Sequence, residues 1–363
     1  MNFISFSPNF PPNYINFWKQ LYRKGVNVLG LGDAPYDELL RALGYFTHRY
    51  GKIDRIESHN EYWLENDARL RTDFNIQGLK VKDMPPIKRK SEMKKRFIQA
   101  GLKVARGRVC KTLEEAHTLI AETGFPVVAK PDIGVGAYLT REIHSHAELE
   151  AFFANKPLAD FIFEEFVQGT VETFDGLVDQ DGNIVFCSSL IYNEGVMTLV
   201  NQGVDFWYYT TREVSPILGK YGRKLVKIYD LRERFFHFEF FHTPEDHYVA
   251  LEVNMRPPGG LTTDMWNYAN DIDIYSEYAN IVVENRMQNP ATHPFFCGYF
   301  SRRNNHIYQN SHESIMAAFP EQIVAHSPIS GVFAAALGDY GYLARSSELD
   351  ELREMAEWIM TKA

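Results

Sequence analysis

Hydrophobic and polar residues alternate most clearly in residues 235–260, FFHFEFFHTPEDHYVALEVNMRPPGG. Read with the two-residue period of a strand, three alternating phenylalanines share one face of the first segment, and Glu239 lies on the other face. In the second segment, Val249, Leu251 and Val253 share one predicted face. The opposite face carries Ala250, Glu252, Asn254 and Arg256. A Thr-Pro-Glu-Asp turn joins the segments, so the pattern predicts an antiparallel hairpin.

This hairpin predicts a site for a cation. A hairpin centre between residues 245 and 246 places Glu239 directly across from Glu252, with Cβ atoms roughly 5 Å apart. Two carboxylates at that distance repel each other unless a cation lies between them. With the adjacent asparagine, they are oxygen ligands that suit Mg²⁺ completed by phosphate oxygens. The alternative is a hairpin with a solvated charged face, but such a face needs neither Arg256 nor the Pro-Pro-Gly-Gly turn that follows.

The pattern at the start of the chain predicts a small domain with a parallel sheet. MNFISFS predicts a strand, PNYINFWKQLYRKG a helix that ends at Gly25, VNVLGLGD a second strand and DELLRALGYF a second helix. This order is typical of parallel α/β sheets. Gly30 and Gly32 follow a strand, as in dinucleotide-binding loops. The third glycine of that motif is absent, so we interpret the pair as a tight turn.

Residues 80–90, which include Pro85-Pro86 and few apolar residues, form a predicted boundary, and the periodic segments continue beyond it. Further helices and strands are predicted over 91–101, 112–124, 125–131, 144–153 and 161–167. Residues 193–216 are rich in Gly, Tyr and Trp and weakly periodic, which predicts a long loop that could close over a ligand. Near the end, residues 326–343 indicate apolar strands and residues 347–360 a final helix.

Composition narrows the class of protein. The 363 residues are 45% hydrophobic, enough for more than one core. A net charge of -9 without a stripe of Lys and Arg argues against nucleic acid as a partner. Three cysteines without CxxC spacing indicate neither disulfides nor a zinc site, and they fit a reducing cytoplasm. The sequence shows neither a signal peptide nor an apolar run long enough for a membrane, so we expect a soluble, cytoplasmic protein.

Lys130 marks a second candidate site. It lies near the end of the apolar segment VVAKP and is followed by the turn DIGVGAY. Glycines in such a turn let backbone N–H groups approach phosphate oxygens, and the lysine supplies a fixed positive charge. The alternative for a buried lysine is a structural salt bridge. The GxxxxGK[ST] pattern is absent, so this is not a P-loop.

In their order, these motifs resemble the ATP-grasp superfamily over residues 88–280. Lys90, which begins a short helix ending in an Ala-Gly step, and Lys130 resemble the two nucleotide-binding lysines of that superfamily. The turn with Gly134 and Gly136 resembles its glycine loop over the phosphates. In that loop, Ala137 stands where many members have a hydroxylated residue.

The remaining site residues follow from the same resemblance. FIFEEFVQG resembles the strand that contacts adenine, which implies roles for Glu164, Glu165 and Val167, although several members have a lysine in place of Glu165. Glu172 then corresponds to the carboxylate that binds ribose. The hairpin completes the match: the implied metal ligands are Glu239, Glu252 and Asn254. The implied substrate-binding residues are Arg256, Gly259 and Gly260.

The resemblance implies a fold of mixed α/β and α+β class. Two α+β subdomains would grip ATP, preceded by a small Rossmann-like parallel α/β domain. The implied domains are residues 1–87, an ATP-grasp domain over 88–290 with a lid subdomain near 105–170, and a C-terminal segment over 291–363 that packs on the core.

The resemblance also implies an activity. An ATP-dependent, ADP-forming ligase would convert a small-molecule carboxylate, such as an amino acid, into an acyl phosphate and join it to an amine or another nucleophile. The implied cofactors are ATP and Mg²⁺, with Mn²⁺ as a substitute. The implied catalytic residues are Arg256 and Lys130. A homodimer is compatible with the resemblance. Two alternatives remain open. One is a bicarbonate-activating enzyme like carbamoyl phosphate synthetase or biotin carboxylase, and the other is a nucleotide-binding regulatory protein without turnover.

Overall fold

The computed structural model describes residues 1–134, 139–193, 204–329 and 331–363. Among these residues, no helix has both the length and the hydrophobicity that crossing a membrane requires. The strands are β1 (Asn2–Phe6), β2 (Asn27–Leu31), β3 (Arg55–Glu57), β4 (Lys103–Val104), β5 (Gly107–Val109), β6 (Val127–Pro131), β7 (Arg141–Ile143), β8 (Phe161–Glu165), β9 (Thr170–Val178), β10 (Ile184–Ser188), β11 (Leu190–Tyr192), β12 (Trp207–Thr210), β13 (Arg234–His242), β14 (Tyr248–Asn254), β15 (Phe296–Arg302), β16 (Ile323–Pro328) and β17 (Tyr340–Ser346).

Helices cover the faces and ends of these sheets. They are α1 (Ile15–Arg23), α2 (Tyr36–Tyr50), α3 (Leu64–Asp73), α4 (Pro85–Lys88), α5 (Lys90–Gln99), α6 (Leu113–Thr123), α7 (His146–Asn155), α8 (Pro216–Ile228), α9 (Thr262–Asn270), α10 (Ile274–Glu284), α11 (His312–Ala318), α12 (Gly331–Leu337) and α13 (Leu349–Met360). Short 3₁₀ helices occupy Pro12–Tyr14 and Val81–Asp83. Helix α6 begins with the capping box expected from its sequence, in which the Thr112 hydroxyl and the Glu115 carboxylate each bind the other residue's backbone N–H.

The first sheet has the strand order β2-β1-β3, and both pairings are parallel. This confirms the parallel sheet predicted for the start of the chain. Helices α2 and α3 cover it with buried side chains that include Leu43 and Leu70, which pack with Ile4 and Phe6 of β1. Helix α1 packs against the strand β13: the centroid of the Phe17 ring lies 5.4 Å from that of the Phe235 ring.

The central sheet carries the hairpin. Its order is β16-β17-β15-β12-β11-β9-β13-β14-β4, and β10 also pairs with β9. The phenylalanine face of β13 packs in one core with Met93 and Phe97 of α5 and with Leu225 of α8. Strands β15 to β17 extend the same sheet, so the residues after 291 share it with the hairpin. The proposed domain boundary at 290 therefore divides one continuous sheet.

A smaller antiparallel sheet, in the order β5-β8-β6-β7, lies within residues 107–165. Helices α6 and α7 cover it, and buried side chains such as Leu119, Leu149 and Phe163 form its core. It coincides with the segment predicted to be a lid.

Two predicted segments differ from the structure. Residues 193–216 are not one loop, because Trp207–Thr210 forms β12 between β11 and β15 in the central sheet. Residues 194–203 lie outside the described part of the chain. The predicted apolar strands over 326–343 are interrupted, because Gly331–Leu337 forms helix α12, in keeping with three consecutive alanines there.

Candidate active site

The hairpin of β13 and β14 brings Glu239 and Glu252 face to face. They are direct partners in the antiparallel register, as the sequence predicts. The register reaches this pairing through a bulge, since Phe240 pairs with Ala250 and Leu251 falls at the shift. Ala250 therefore shares the buried phenylalanine face. Its predicted place on the polar face is wrong, because the extra residue reverses the alternation toward the turn.

His237 lies between the partly exposed Glu239 and the buried carboxylate of Asp175. Its Nδ1 lies 2.7 Å from Asp175 Oδ1, and its Nε2 lies 3.1 Å from Glu239 Oε1. Asp175 also accepts a 2.7 Å hydrogen bond from the Thr173 hydroxyl. Burial alone would lower the pKa of His237, but Asp175 and Glu239 outweigh burial and raise this pKa to about 9. A cationic imidazole therefore lies between the two carboxylates at neutral pH.

Lys90, the first residue of α5, supplies a cation to Glu252. Its Nζ lies 3.0 Å from Glu252 Oε1 and donates a 3.2 Å hydrogen bond to the carbonyl of Gly134. Burial alone would lower the pKa of Lys90, but Glu252 raises it above its usual value. The start of α5 is held by Asp132, whose carboxylate accepts a 2.8 Å hydrogen bond from the backbone N–H of Ser91. A predicted nucleotide lysine thus contacts a predicted metal ligand.

Lys130 on β6 contacts Glu164 on β8. Its Nζ lies 2.6 Å from Glu164 Oε2, and the Nζ of Lys94 lies 2.6 Å from Glu164 Oε1. Burial alone would raise the pKa of Glu164, but Lys130 and Lys94 outweigh burial and lower this pKa to about 2. The salt bridge considered for Lys130 is therefore present. The same carboxylate holds two lysines side by side where the resemblance expects phosphates. Gly136, predicted for the glycine loop above them, lies outside the described residues.

Glu165 and Val167 lie at the end of β8 and just beyond it. The Glu165 carboxylate accepts hydrogen bonds from the Arg106 backbone N–H at 2.7 Å and from Arg106 Nε at 2.6 Å. This pair ties β8 to the segment that leads into β5. Val167 is half-buried. The adenine contact expected along this strand stays a prediction.

Glu172 makes its contacts on the opposite face of the central sheet. It pairs with Phe240, whereas its neighbour Thr173 pairs with Glu239, so strand alternation directs the Glu172 side chain away from Glu239. The carboxylate accepts a 2.9 Å hydrogen bond from the Tyr248 hydroxyl. Burial raises the pKa of Glu172. The structure does not bring Glu172 together with the facing glutamates, and its role at the ribose stays a prediction.

Arg256 follows the hairpin and turns back onto Asn254. Its Nη2 donates a 3.2 Å hydrogen bond to Asn254 Oδ1, and its Nε lies 3.7 Å from Glu61 Oε2. Burial alone would raise the pKa of Glu239, but His237 and, to a smaller extent, Arg256 lower it. The guanidinium therefore adds positive charge near the facing carboxylates without a salt bridge to Glu239 in the described part of the chain.

Gly259 and Gly260 form the turn between β14 and α9. Gly260 has a φ of +66°, which favours glycine, and a Cβ added there would lie 2.8 Å from Leu337 Cδ1. A Cβ added at Gly259 would meet no described atom within 4 Å, so the turn is open at that position. The Thr262 hydroxyl donates a 2.9 Å hydrogen bond to the Gly259 carbonyl where α9 begins. The turn thus precedes the positive end of a helix dipole.

The N-terminal unit completes this end of the hairpin. The Tyr14 hydroxyl donates a 3.1 Å hydrogen bond to the Pro258 carbonyl, and Asn13 Nδ2 donates a 2.9 Å hydrogen bond to Asp264 Oδ2. Glu61 lies beside Arg256, as described above. These contacts join residues about 200 to 250 positions apart in the chain. A local sequence pattern does not encode such contacts, so no pattern in the chain predicted these residues for the site.

Two further residues of the site do have a sequence signal. Lys94 lies four residues after Lys90 on α5, which places both on one face of the helix. His237 lies two residues before Glu239 on β13, which places both on one face of the strand. These spacings could have added Lys94 and His237 to the predicted site.

The oxygen atoms at the hairpin fit a magnesium ion completed by phosphate. Glu239 and Glu252 supply two facing carboxylates, and Asn254 supplies an amide oxygen on the same strand as Glu252. In the described ranges, no group of three or more His, Cys, Asp or Glu side chains is arranged to hold a metal by itself. Mg²⁺ is commonly bound by one or two carboxylates together with substrate phosphates. The donor set therefore fits a metal that arrives with a nucleotide.

Known ligases resemble this chain in sequence and in structure. Alanine–anticapsin ligase of Bacillus subtilis is 27% identical over 176 residues, which cover 44% of this chain and 34% of that protein. The crystal structure of L-amino acid ligase from Bacillus licheniformis has a TM-score of 0.74 at 14% identity and covers 100% of this chain and 99% of that chain. The chain therefore has the fold of the ATP-grasp ligases and is similar to them in part of its sequence.

Other comparisons agree with the ATP-grasp fold. N5-carboxyaminoimidazole synthetase from Staphylococcus aureus, solved with ADP, has a TM-score of 0.73 at 12% identity and covers 97% of this chain and 95% of that chain. The carbamoyl phosphate synthase large chain of Mycobacterium tuberculosis (strain ATCC 25618 / H37Rv) is 36% identical over 99 residues, 25% of this chain and 9% of that protein. No family model matches the chain. The matches to alanine–anticapsin ligases span about a third of those proteins. The predicted fold class is confirmed, and the comparisons agree with the predicted resemblance to ATP-grasp enzymes.

Proposed function

We propose that this chain is an ATP-dependent, ADP-forming ligase that joins a small-molecule carboxylate, such as an amino acid, to an amine. The observation that carries the proposal is the direct pairing of Glu239 with Glu252, with Lys90 on Glu252 and Arg256 just beyond the strand. This arrangement combines ligands for a metal, a cation for phosphate and a cation for a carboxylate. The names of two similar proteins, an alanine–anticapsin ligase and an L-amino acid ligase, support the choice of an amino acid.

The metal end of the site is assigned to Glu239, Glu252 and Asn254. When bound there with ATP, Mg²⁺ would offset the charge of the phosphate oxygens. The protein's own contribution is to hold the ligands in place before the nucleotide arrives. His237 holds the Glu239 carboxylate and Lys90 holds that of Glu252, so neither side chain has to be ordered when the metal binds.

The phosphate end is assigned to Lys90 and Lys130, with Lys94 beside them. Lys130 and Lys94 share Glu164 as their partner, and a phosphate oxygen could bind either ammonium group while the other keeps the carboxylate. Gly134 would offer its backbone to the phosphates. The adenosine would lie along the end of β8, near Glu165 and Val167.

Arg256 and the Gly259-Gly260 turn are assigned to the substrate carboxylate. A carboxylate oxygen would attack the γ-phosphorus of ATP, the bond from that phosphorus to the β–γ bridging oxygen would break, and ADP would leave. The amine nitrogen would then attack the carbonyl carbon of the acyl phosphate. The carbon–oxygen bond to phosphate would break, inorganic phosphate would leave, and the nitrogen would lose a proton. The fixed charge of Arg256 would stabilise the negative charge that develops on the transferring group.

A bicarbonate-activating enzyme is the second candidate. It is favoured by the short match to carbamoyl phosphate synthase. It is also favoured by the fold of the biotin carboxylase domain of Hydrogenobacter thermophilus 2-oxoglutarate carboxylase, solved with MgADP and bicarbonate, which has a TM-score of 0.68 at 14% identity.

The proposal for the ligase has three further parts. They are the domain division at residues 87 and 290, the use of Mn²⁺ and a homodimer.

Release of ADP from ATP, measured with a panel of carboxylates and amines, separates these functions. The proposed ligase requires an amino acid and an amine together for full release. Release that depends on bicarbonate alone would favour the second candidate. Tight ATP binding without release of ADP in the presence of any carboxylate or amine of the panel would contradict both enzyme functions. It would favour a regulatory protein.

A further inference from the structure

A cavity of about 280 Å³ lies between the N-terminal unit and the start of β13. Its walls include β3, the segment Gln77–Asp83 and the segment Tyr229–Arg234. We refer to it as the basic cavity. The described site residues on the hairpin and on α5 do not line it.

The basic cavity concentrates positive charge in an acidic protein. Its lining contains four acidic side chains but six basic ones, and the whole chain has a net charge of -9. The basic side chains are Arg55, Arg71, Lys80, Lys82, Arg232 and Arg234. Lys82 and Arg232 are exposed, and Arg232 Nη2 also lies 3.0 Å from Oδ1 of Asp230, one of the four acidic side chains. A cleft with one excess sign of charge attracts small ions of the opposite sign.

Buried ion pairs hold the inner wall of the cavity rigidly. Glu57 Oε2 lies 2.6 Å from Arg234 Nη2 and 3.1 Å from Arg71 Nη2, and Arg55 Nε lies 2.6 Å from Glu233 Oε1. Glu57, Arg71 and Arg234 are all at least 95% buried. Most donors of these guanidinium groups are taken up by Glu57, Glu233 and backbone carbonyls. The pairs therefore fix the orientation of the inner wall, and an anion gains its direct contacts at the rim.

The inner wall also contacts the candidate active site through the backbone. Arg234 Nη1 donates a 2.7 Å hydrogen bond to the carbonyl of Met255, which lies between Asn254 and Arg256. Arg234 is also the first residue of β13, and Glu239 lies five residues further along that strand, a distance of about 17 Å. A ligand that draws on Arg234 therefore acts on the segment that carries a proposed metal ligand and the proposed substrate arginine.

We propose that the basic cavity binds a small oxyanion with several negative charges, either a phosphate ester or a polycarboxylate, and that this binding is coupled to nucleotide binding at the hairpin. Lys82 and Arg232 meet the anion at the rim, and Arg234 passes its effect to Met255. The site lies outside the residues assigned to the ligase reaction. Its binding half does not depend on the proposed function.

The test is calorimetric titration of the full chain with pyrophosphate and, separately, with citrate, in metal-free buffer. The wild-type protein should bind at least one of the two anions. Stronger binding of pyrophosphate indicates a phosphate ester as the ligand, and stronger binding of citrate indicates a polycarboxylate. Lys82→Ser/Arg232→Ser should weaken binding at least tenfold. The matched control is Lys19→Ser/Lys52→Ser, which removes two exposed lysines that do not line the cavity and should leave binding unchanged.

Three results would overturn the binding half of the proposal. They are no binding of either anion by the wild type, equal binding by the rim variant and the control, and a loss of binding in Lys130→Ser that matches the loss in the rim variant. The last result would show that the anion occupies the candidate active site.

The coupling half is tested with a non-hydrolysable ATP analogue at a fixed concentration of free Mg²⁺. A saturating anion should change the dissociation constant of the analogue at least threefold in the wild type and not in Lys82→Ser/Arg232→Ser, because coupling between two sites is reciprocal. An unchanged constant in a wild-type protein that binds both ligands would overturn the coupling.

Discussion

Glu239 and Glu252 lie directly opposite each other on adjacent strands, and each carboxylate has its own cationic partner. The Nε2 of His237 is 3.1 Å from the first, and the Nζ of Lys90 is 3.0 Å from the second. These partners reduce the repulsion that the pairing would otherwise cause. Neither His237 nor Lys90 bridges the two carboxylates. Both carboxylates therefore remain available together to one metal ion that brings its own phosphate ligands.

The first prediction concerns the charge between Asp175 and Glu239. His237→Gln leaves the buried Asp175 and the partly exposed Glu239 without their shared cation, and breaking a buried ion pair such as that with Asp175 costs about 3–5 kcal/mol. Denaturant unfolding should show a loss of stability in that range. In the Asp175→Asn/His237→Gln double variant, the loss should be smaller than the sum of the two single losses. If the free energy of unfolding of His237→Gln lies within about 0.5 kcal/mol of wild type, His237 does not stabilise the two carboxylates.

A second prediction concerns the pH dependence that Glu164 gives to folding. Its folded pKa of about 2 lies below the usual value of 4.5, so its contribution to stability is present above pH 4.5 and is lost as the pH falls toward 2. A pKa difference of this size corresponds to about 3 kcal/mol at neutral pH. The free energy of unfolding of Glu164→Gln should therefore be lower than wild type at pH 7, and the two values should converge in acid. A gap that is independent of pH would contradict the lysine pairing.

A third prediction uses the two adjacent glycines of the substrate turn. Gly260→Ala places a side chain at positive φ and within 2.8 Å of Leu337, so thermal or denaturant unfolding should show a loss of more than about 1 kcal/mol. Gly259→Ala is the matched control, because its Cβ enters open space, and its stability should stay within about 0.5 kcal/mol of wild type. Equal losses in both variants would mean that the turn has a different conformation.

A hairpin centre between residues 245 and 246 predicted the pairing of Glu239 with Glu252, and strand alternation placed both on the polar face. It could not predict the bulge at Leu251, since one extra residue in a strand leaves no mark in composition, and Ala250 was therefore placed on the wrong face. Strand β12 was missed for a different reason. Its residues, Trp207–Thr210, are large or β-branched at every position, so polar and apolar residues do not alternate there.

The superfamily resemblance supplied Lys90 and the roles of Lys130 and the hairpin, because the order of such motifs along the chain survives when identity is low. It could not supply the N-terminal contacts. Tyr14 and Asn13 reach the turn after β14 only because α1 and the first sheet pack on the central sheet. Such contacts depend on the tertiary arrangement, which local periodicity does not encode.

A fourth prediction concerns Arg256. Its removal should lower the rate of ADP release about 100-fold with the substrates found in the panel, the range expected when a preorganised group that stabilises transition-state charge is lost. Arg286→Ala removes an exposed arginine on the surface and should leave the rate unchanged. If Arg256→Ala releases ADP within twofold of wild type, the carboxylate assignment is wrong.

The central claim is that the facing glutamates hold the metal of a bound nucleotide. Calorimetric titration with a non-hydrolysable ATP analogue, with and without Mg²⁺, tests it most directly in wild type, Glu252→Gln and the exposed control Glu150→Gln. We predict that Mg²⁺ strengthens binding to the wild type and the control at least tenfold, and that Glu252→Gln loses this gain while keeping its circular dichroism spectrum. An equal gain from Mg²⁺ in Glu252→Gln would contradict the account.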